Sequence, residues 1–340
     1  MSEPLRILID VPVDAAALAV IAGDPQYHID RIDPPAETVQ TLPEEQIEAV
    51  DVLFCSLPPA NFSAMRHLRW IQLASTGYSQ LFGLDLPGRG IRAANCRGCF
   101  DVPIAEWNIA MMVNLARDVR QLMRNQEAAV WDRSAVFQRE VRGLTVGCWG
   151  YGGIGRETAR LARQLGMKVH VLARREVGPR TDVYCVPGTG DPEGLLPDRV
   201  FHRGQEREFL AGLDFLVVAL PLTKATDGLI GEAELRALPS HAFVLNPARG
   251  PIIRQEALLR ALREGWIAGA ALDTHYQYPL PPDHPLWRMP NVILTPHIAG
   301  SILSTNFRPR LWDIFIQNLG RVERGEPLLN ELSVEQLRGD

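Results

Sequence analysis

The chain has 340 residues, 46% of them hydrophobic and 22% charged, and a formal net charge of -5. Such a length and balance predict a soluble protein of about two domains, each able to bury a sizeable core. The acidic balance, the lack of a Lys/Arg cluster with interleaved aromatics, and the lack of an apolar run of about eighteen residues argue against nucleic-acid and membrane partners.

The start, MSEPLRILID, passes almost directly into a strand-like LRILID and lacks the successive regions of a signal peptide, so the expected compartment is the cytoplasm. Five cysteines, an odd count, make no disulfide framework. Short apolar runs at 5–9, 27–32, 50–55, 69–73 and 91–95 read as strands separated by helical or loop stretches, predicting a small parallel sheet. Cys96 and Cys99 form C-x-x-C, but neither a second cysteine pair nor a His pair accompanies them. They read as small buried or turn residues, and no metal site is expected. After a hinge around 98–102, an apolar helix is predicted over 103–117, with Pro103 near its start. Its apolar content exceeds one amphipathic face, which points to packing on a second subunit as well.

Residues 144–175 then place a strand, a glycine-rich turn, a helix and a second strand in succession. Gly150, Gly152 and Gly155 satisfy G-x-G-x-x-G, and apolar residues recur at helical spacing over 154–165 before Gly166 closes the helix. The first glycine permits the tight turn, the second lets backbone approach a pyrophosphate, and the third lets helix and strand pack closely. This order predicts a dinucleotide site, with Gly153, Ile154 and Arg156 also at the turn. The second strand, 167–173, ends in Ala173, Arg174 and Arg175, without the acid that would bond a ribose 2′-hydroxyl. A guanidinium there can pair with a 2′-phosphate, so NADP is favoured, with NAD possible. Of the 35 basic residues only Lys168 and Lys224 are lysines, so adjacent solvated arginines also arise from composition.

Residues 176–208, which include VPGTGDPEGLLPD, read as one long surface loop, either a lid or an insertion. Strands at 214–220, 242–246, 268–273 and 292–295, with helices at 232–238 and 255–264, complete the alternation of a doubly wound sheet. Ligands of such sheets bind outside the carboxyl ends of the strands.

The fingerprint, together with NCRGCFDVPIAEW at 95–107, LPLTKATDGLIG at 220–231, LNPARGPIIRQEAL at 245–258 and LTPHIAG at 294–300, resembles the D-isomer-specific 2-hydroxyacid dehydrogenases over nearly the whole chain. The resemblance implies an α/β fold of two Rossmann-like or flavodoxin-like parallel-sheet domains. Residues 1–100 and 301–340 would form the substrate domain, and 101–300 an inserted dinucleotide-binding domain. It implies an NAD(P)-dependent oxidoreductase, glyoxylate/hydroxypyruvate reductase-like, acting on a small 2-oxo or 2-hydroxy acid, and a homodimer. It places the family's active-site Arg at Arg249 and its His at His297. Both fit the chemistry: a guanidinium clamps a carboxylate bidentately, and an imidazole exchanges a proton near neutral pH. It further implies substrate contacts from Ser75, Thr76 and Gly77 and from Asn95 at the interdomain cleft, and cofactor contacts from Pro221, Thr226 and Asp273.

One position departs from the family. In DTHYQYPLPPDHPLW, Tyr278 stands where the family carries an acid next to the His, with Gln277 and His275 as nearby substitutes should the loop be rearranged. A carboxylate would raise the imidazole pKa by roughly one to three units, whereas a neutral phenol supplies no such charge. The expectation is an active dehydrogenase whose reductive optimum lies at lower pH. The second expectation is a nucleotide-binding redox sensor or corepressor-like protein with weak or lost catalysis.

Overall fold

Runs such as VLFC, FLVV and FVLN are apolar on both sides of the strand, the pattern of parallel sheets covered on both faces. The computed structural model describes residues 3–36, 38–134, 138–300 and 303–338. In chain order its elements begin β1 (Leu5–Asp10), α1 (Ala15–Ala22), β2 (Tyr27–Arg31), α2 (Glu44–Ile47), β3 (Val52–Cys55), β4 (Trp70–Leu73) and β5 (Arg92–Ala94). Next come α3 (Asp101–Ala116), α4 (Val119–Glu127), β6 (Thr145–Trp149), α5 (Gly153–Gln164), β7 (Lys168–Leu172), β8 (Arg199–Phe201), α6 (Glu206–Ala211) and β9 (Phe215–Val218). The last are α7 (Glu232–Ala237), β10 (Phe243–Asn246), α8 (Gln255–Arg263), β11 (Gly269–Leu272), β12 (Val292–Leu294), α9 (Phe307–Glu323) and α10 (Val334–Arg338).

The chain divides into two compact units, each α/β. One comprises Met1–Cys99, Thr181–Val186 and Ile302–Asp340, the other Phe100–Arg180 and Pro187–Ser301. The first holds a five-stranded sheet of order β2-β1-β3-β4-β5. All its strand pairs are parallel. One face carries Leu8, Leu53, Ile71 and Ala93 against Ile47, Phe62 and Leu81. α9 brings Phe315 onto Phe54, ring centroids 4.3 Å apart, and onto Trp70 at 5.4 Å. Asn318 of the same helix is fully buried and donates to Gln72 Oε1 at 3.0 Å, so its amide is satisfied rather than stranded.

The second unit holds a seven-stranded parallel sheet of order β12-β11-β10-β9-β6-β7-β8. The order reverses between β6 and β9, and that switch point is where the glycine turn emerges. β6 is sandwiched by two apolar clusters, one with Trp149 and Phe209, the other with Val146 and Cys148 against Met112 and Ala159. α3 runs from Asp101, two residues before Pro103, and buries Ala105, Asn108, Met112, Leu115 and Ala116.

The 176–208 segment is not one loop. It contains β8 and leads into α6, whose residues Phe201 and Phe209 meet at 5.6 Å in the core. A strand of three residues among glycines and prolines has too short a period to be read from sequence. Within the segment, Thr181–Val186 forms a strap of the first unit. Tyr184 is buried there, its N–H donating to Asn330 Oδ1 at 3.2 Å, and Asp182 pairs with Arg321 at 2.9 Å. Burial and the Asp313 carboxylate hold its phenol well above the ordinary range. Truncating a buried aromatic leaves a cavity, so Tyr184→Ala is expected to lower stability by about 3–5 kcal/mol, read from urea unfolding.

Candidate active site

The second unit gathers the chemistry at the carboxyl ends of its strands, and the glycine turn is shaped by what surrounds it. Gly150 has φ +101°, and a Cβ there would sit 2.5 Å from Ala219 O. A Cβ on Gly155 would sit 2.5 Å from Gly150 O, so the helix start can close on the strand end only with glycine. Gly153 lies against the Asp101 carboxylate, with no room for a side chain. At Gly152, by contrast, a Cβ meets nothing of the chain within 4 Å, and no side chain caps α5. With no side-chain cap among the described residues, the helix's first N–H groups are available to a ligand, which fits a pyrophosphate. Ile154 is half-buried on the first turn.

Arg156, at the same turn, is buried and turns to the chain's own carbonyls. It donates to Gly178 O at 2.6 Å, to Asp191 O, and onward to Tyr151 O at 3.4 Å. Tyr151 Oη donates to Asp191 Oδ2 at 2.7 Å. The pair therefore ties the fingerprint to the segment that leaves the Arg174 corner. Arg174 and Arg175 are exposed beyond β7, and neither has an ion-pair partner among the described residues. Thr226 Oγ1 donates to Pro221 O at 2.6 Å and closes the turn after β9.

Arg249, Asp273 and His297 follow β10, β11 and β12, three adjacent strands. Asn246 ends β10 buried, with its Nδ2 donating to Arg249 O at 2.9 Å and its Oδ1 accepting from Ala248 N at 3.1 Å. It shapes the loop that presents the exposed Arg249 guanidinium. Gly250 lets that loop approach His275, because a Cβ would meet the His275 carbonyl at 2.6 Å. Asp273 is buried, and three donors fill its carboxylate: Thr295 Oγ1 at 2.5 Å, Ile298 N at 2.9 Å and Ala299 N at 3.0 Å. These grip both sides of His297, which has φ +58°.

Tyr278 lies beside the His297 ring, centroids 5.4 Å apart and planes tilted at 50°. Its hydroxyl points elsewhere, accepting from His275 N at 3.1 Å. His275 is buried and engages Thr295 O through Nε2 at 2.8 Å, while Gln277 is exposed. Among the described residues, no carboxylate lies within ion-pair distance of His297. Its pKa is pushed below the ordinary value, first by burial and then by the Arg249 charge and by His275, with Asp273 opposing. The structure thus brings Arg249, His297 and Tyr278 together around one corner of the sheet.

Ser75, Thr76, Gly77 and Asn95 cluster in the first unit, after β4 and β5. Asn95 Nδ2 donates to Thr76 O at 2.8 Å, and Ser75 Oγ donates to Gly77 O at 2.7 Å. A Cβ on Gly77 would meet nothing within 4 Å, so the fold itself does not demand glycine there. Sequence reading missed Asn246, Thr295 and His275 as the groups that set this geometry. The available signal was a polar residue closing an apolar strand, as Asn246 and Thr295 both do. Among the described residues, no group of three or more His, Cys, Asp or Glu can hold a metal ion, and no helix is long and apolar enough to cross a membrane.

Comparison with known proteins shows the family of the chain. Residues 109–299 match the family profile described as D-isomer specific 2-hydroxyacid dehydrogenase, NAD binding domain. The chain is 32% identical over 267 residues to a glyoxylate reductase of Thermofilum pendens, covering 77% of this chain and 74% of that protein. A D-isomer specific 2-hydroxyacid dehydrogenase family protein of Aeromonas salmonicida superposes with a TM-score of 0.76 at 27% identity, covering 98% of this chain and 99% of that one. The family member from Xanthobacter autotrophicus, solved with NADPH and MES, superposes with a TM-score of 0.73 at 27% identity, covering 97% and 99%. With the glycine turn and the Arg249 and His297 loops in place, the chain belongs to the D-isomer specific 2-hydroxyacid dehydrogenases, an NAD(P)-dependent oxidoreductase family.

Proposed function

We propose that the protein reduces a small 2-oxo acid of the glyoxylate or hydroxypyruvate type with NADPH, NADH being the poorer donor. The placement of Arg249 and His297 on loops after β10 and β12, close enough for one charge to depress the other's pKa, carries this reading. The Arg249 fork clamps the substrate carboxylate and polarises the adjacent carbonyl. His297 delivers a proton from its ring nitrogen to the nascent alkoxide, and Asp273 holds the loop that aims it. Ser75, Thr76, Gly77 and Asn95 are assigned to the substrate carboxylate, with Gly77 leaving its space to a ligand. Gly150, Gly152, Gly153, Ile154, Gly155, Pro221 and Thr226 are assigned to the cofactor, with Arg156 acting through its carbonyl contacts and Asp273 through the loop that its carboxylate holds. The bound nicotinamide nucleotide supplies the hydride. Its 2′-phosphate is assigned to Arg174 and Arg175, which carry no ion-pair partner among the described residues. The named relatives are enzymes, which favours turnover over a sensing role.

Exposed Leu122 and Met123 of α4, followed by Val130 and the 89% exposed Trp131, support a homodimer through this region. Five free cysteines support a reducing compartment, the cytoplasm. Sedimentation velocity is expected to give a dimer that Trp131→Ser weakens.

NADPH oxidation with glyoxylate and hydroxypyruvate tests the activity, and turnover with neither would refute it. Arg249→Ala is expected to lower kcat/KM about a hundredfold, near 2.7 kcal/mol of transition-state stabilisation. Because the folded His297 pKa lies below its ordinary value, the proton-donor form is lost as pH rises past it, and oxo-acid reduction falls about tenfold per unit above it. Tyr278→Glu is expected to move that fall upward by about one unit or more. Replacing Arg174 and Arg175 together with Ala is expected to raise the KM for NADPH about tenfold, with the KM for NADH nearly unchanged.

A further inference from the structure

We infer that the site also takes the iminium form of a 2-oxo acid, the adduct with ammonia or a primary amine, and reduces it to the 2-amino acid. This rests on the oxidoreductase reading above and deepens it. The observation behind it is the environment of His297. Tyr278 stands where a carboxylate would hold a proton on the ring, and its hydroxyl is committed to His275 N at 3.1 Å. The Asp273 oxygens are committed to Thr295 Oγ1, Ile298 N and Ala299 N. The charged and titratable groups around the imidazole are Arg249, Asp273, His275 and Tyr278, and among the described residues no carboxylate pairs with the ring. A neutral imidazole follows from this geometry at neutral pH and above.

The two substrates differ in what they ask of that ring. Hydride addition to a carbonyl carbon leaves an alkoxide, which must take one proton from the site. In an iminium, C=NH₂⁺, the hydride adds to carbon and the C–N π pair becomes the nitrogen lone pair. The product is a neutral amine, the nicotinamide is oxidised, and no proton is drawn from the protein. The amine takes its proton from solvent after release. An imidazolium would repel the cationic substrate, whereas neutral His297 accepts a hydrogen bond from the iminium N–H. The exposed Tyr278 ring, 5.4 Å from the imidazole, offers an aromatic face to the same cation. Arg249 clamps the carboxylate, which both substrates share.

The test follows NADPH oxidation by wild-type protein with pyruvate at pH 8.5, with methylamine or with sodium chloride at equal ionic strength, and identifies products by chromatography. The expected result is at least a tenfold faster rate with methylamine and N-methylalanine as product. In Tyr278→Glu the ratio of amine-dependent to oxo-acid rate is expected to fall at least tenfold. A readout independent of turnover is the NMR titration of His297 in the cofactor-free protein. It is expected below the ordinary histidine range in wild type and higher in Tyr278→Glu. Lactate alone, at a rate indifferent to methylamine, overturns the inference and leaves the oxo-acid reading intact. The absence of N-methylalanine overturns the inference, and the further absence of NADPH oxidation with glyoxylate or hydroxypyruvate, despite measurable NADPH binding, overturns both. A wild-type His297 that titrates above neutrality overturns the inference by itself.

Discussion

The arrangement of the reactive corner depends on one buried carboxylate. Asp273 closes β11 and accepts from a hydroxyl and two backbone N–H groups on the far side of His297. Burying an ionised group is tolerable only when such donors replace the water it loses. Here the donors belong to the segment that must hold a histidine at a positive φ, a conformation a free chain rarely adopts. The same bonds that solvate the carboxylate therefore hold the imidazole's backbone in place. Asn246 does the neutral equivalent one strand away, folding the Arg249 loop around a side-chain amide. Two polar residues ending apolar strands convert a generic sheet edge into a fixed pair of functional groups.

Parts of this were legible in the chain and parts were not, for physical reasons. The glycine turn and the parallel strands rest on local spacing, where the local signal is strong, whereas Arg249 and His297 stand out only through the family resemblance. The structural duty of Asp273 lies in contacts to residues 22 to 26 positions away, which no periodicity encodes. The turn position of Arg156 is local, whereas the reach of its guanidinium to carbonyls at Gly178 and Asp191 is not. Side-chain direction at a helix start is decided by tertiary partners. β8 escaped for a different reason: three residues at the sheet edge, bounded by Pro197 and Gly204, carry too little pattern to stand out.

Tyr278 shows how a single side chain redistributes work in a site whose other parts are retained. The ring borders His297, with centroids 5.4 Å apart. A neutral phenol supplies no negative charge, so it does not hold a proton on the imidazole as a carboxylate would. Orientation and protonation, which one carboxylate would supply together, are here separated. Asp273 and the Tyr278 ring provide the first, and solvent pH governs the second.

The strap at Thr181–Val186 bears on how the molecule can be divided. The chain passes from one unit to the other at four points instead of the two that a simple insertion requires. A fragment cut at residues 100 and 301 would carry the strap away from Asn330 and Arg321, leaving Tyr184 and Asp182 without their partners. The complementary fragment would keep a vacant slot at Gly98, where the Tyr184 carbonyl now sits 2.5 Å from the position of an added Cβ. Recombining this nucleotide-binding half with another substrate half, as a modular view of such enzymes invites, therefore requires moving six residues in the opposite direction.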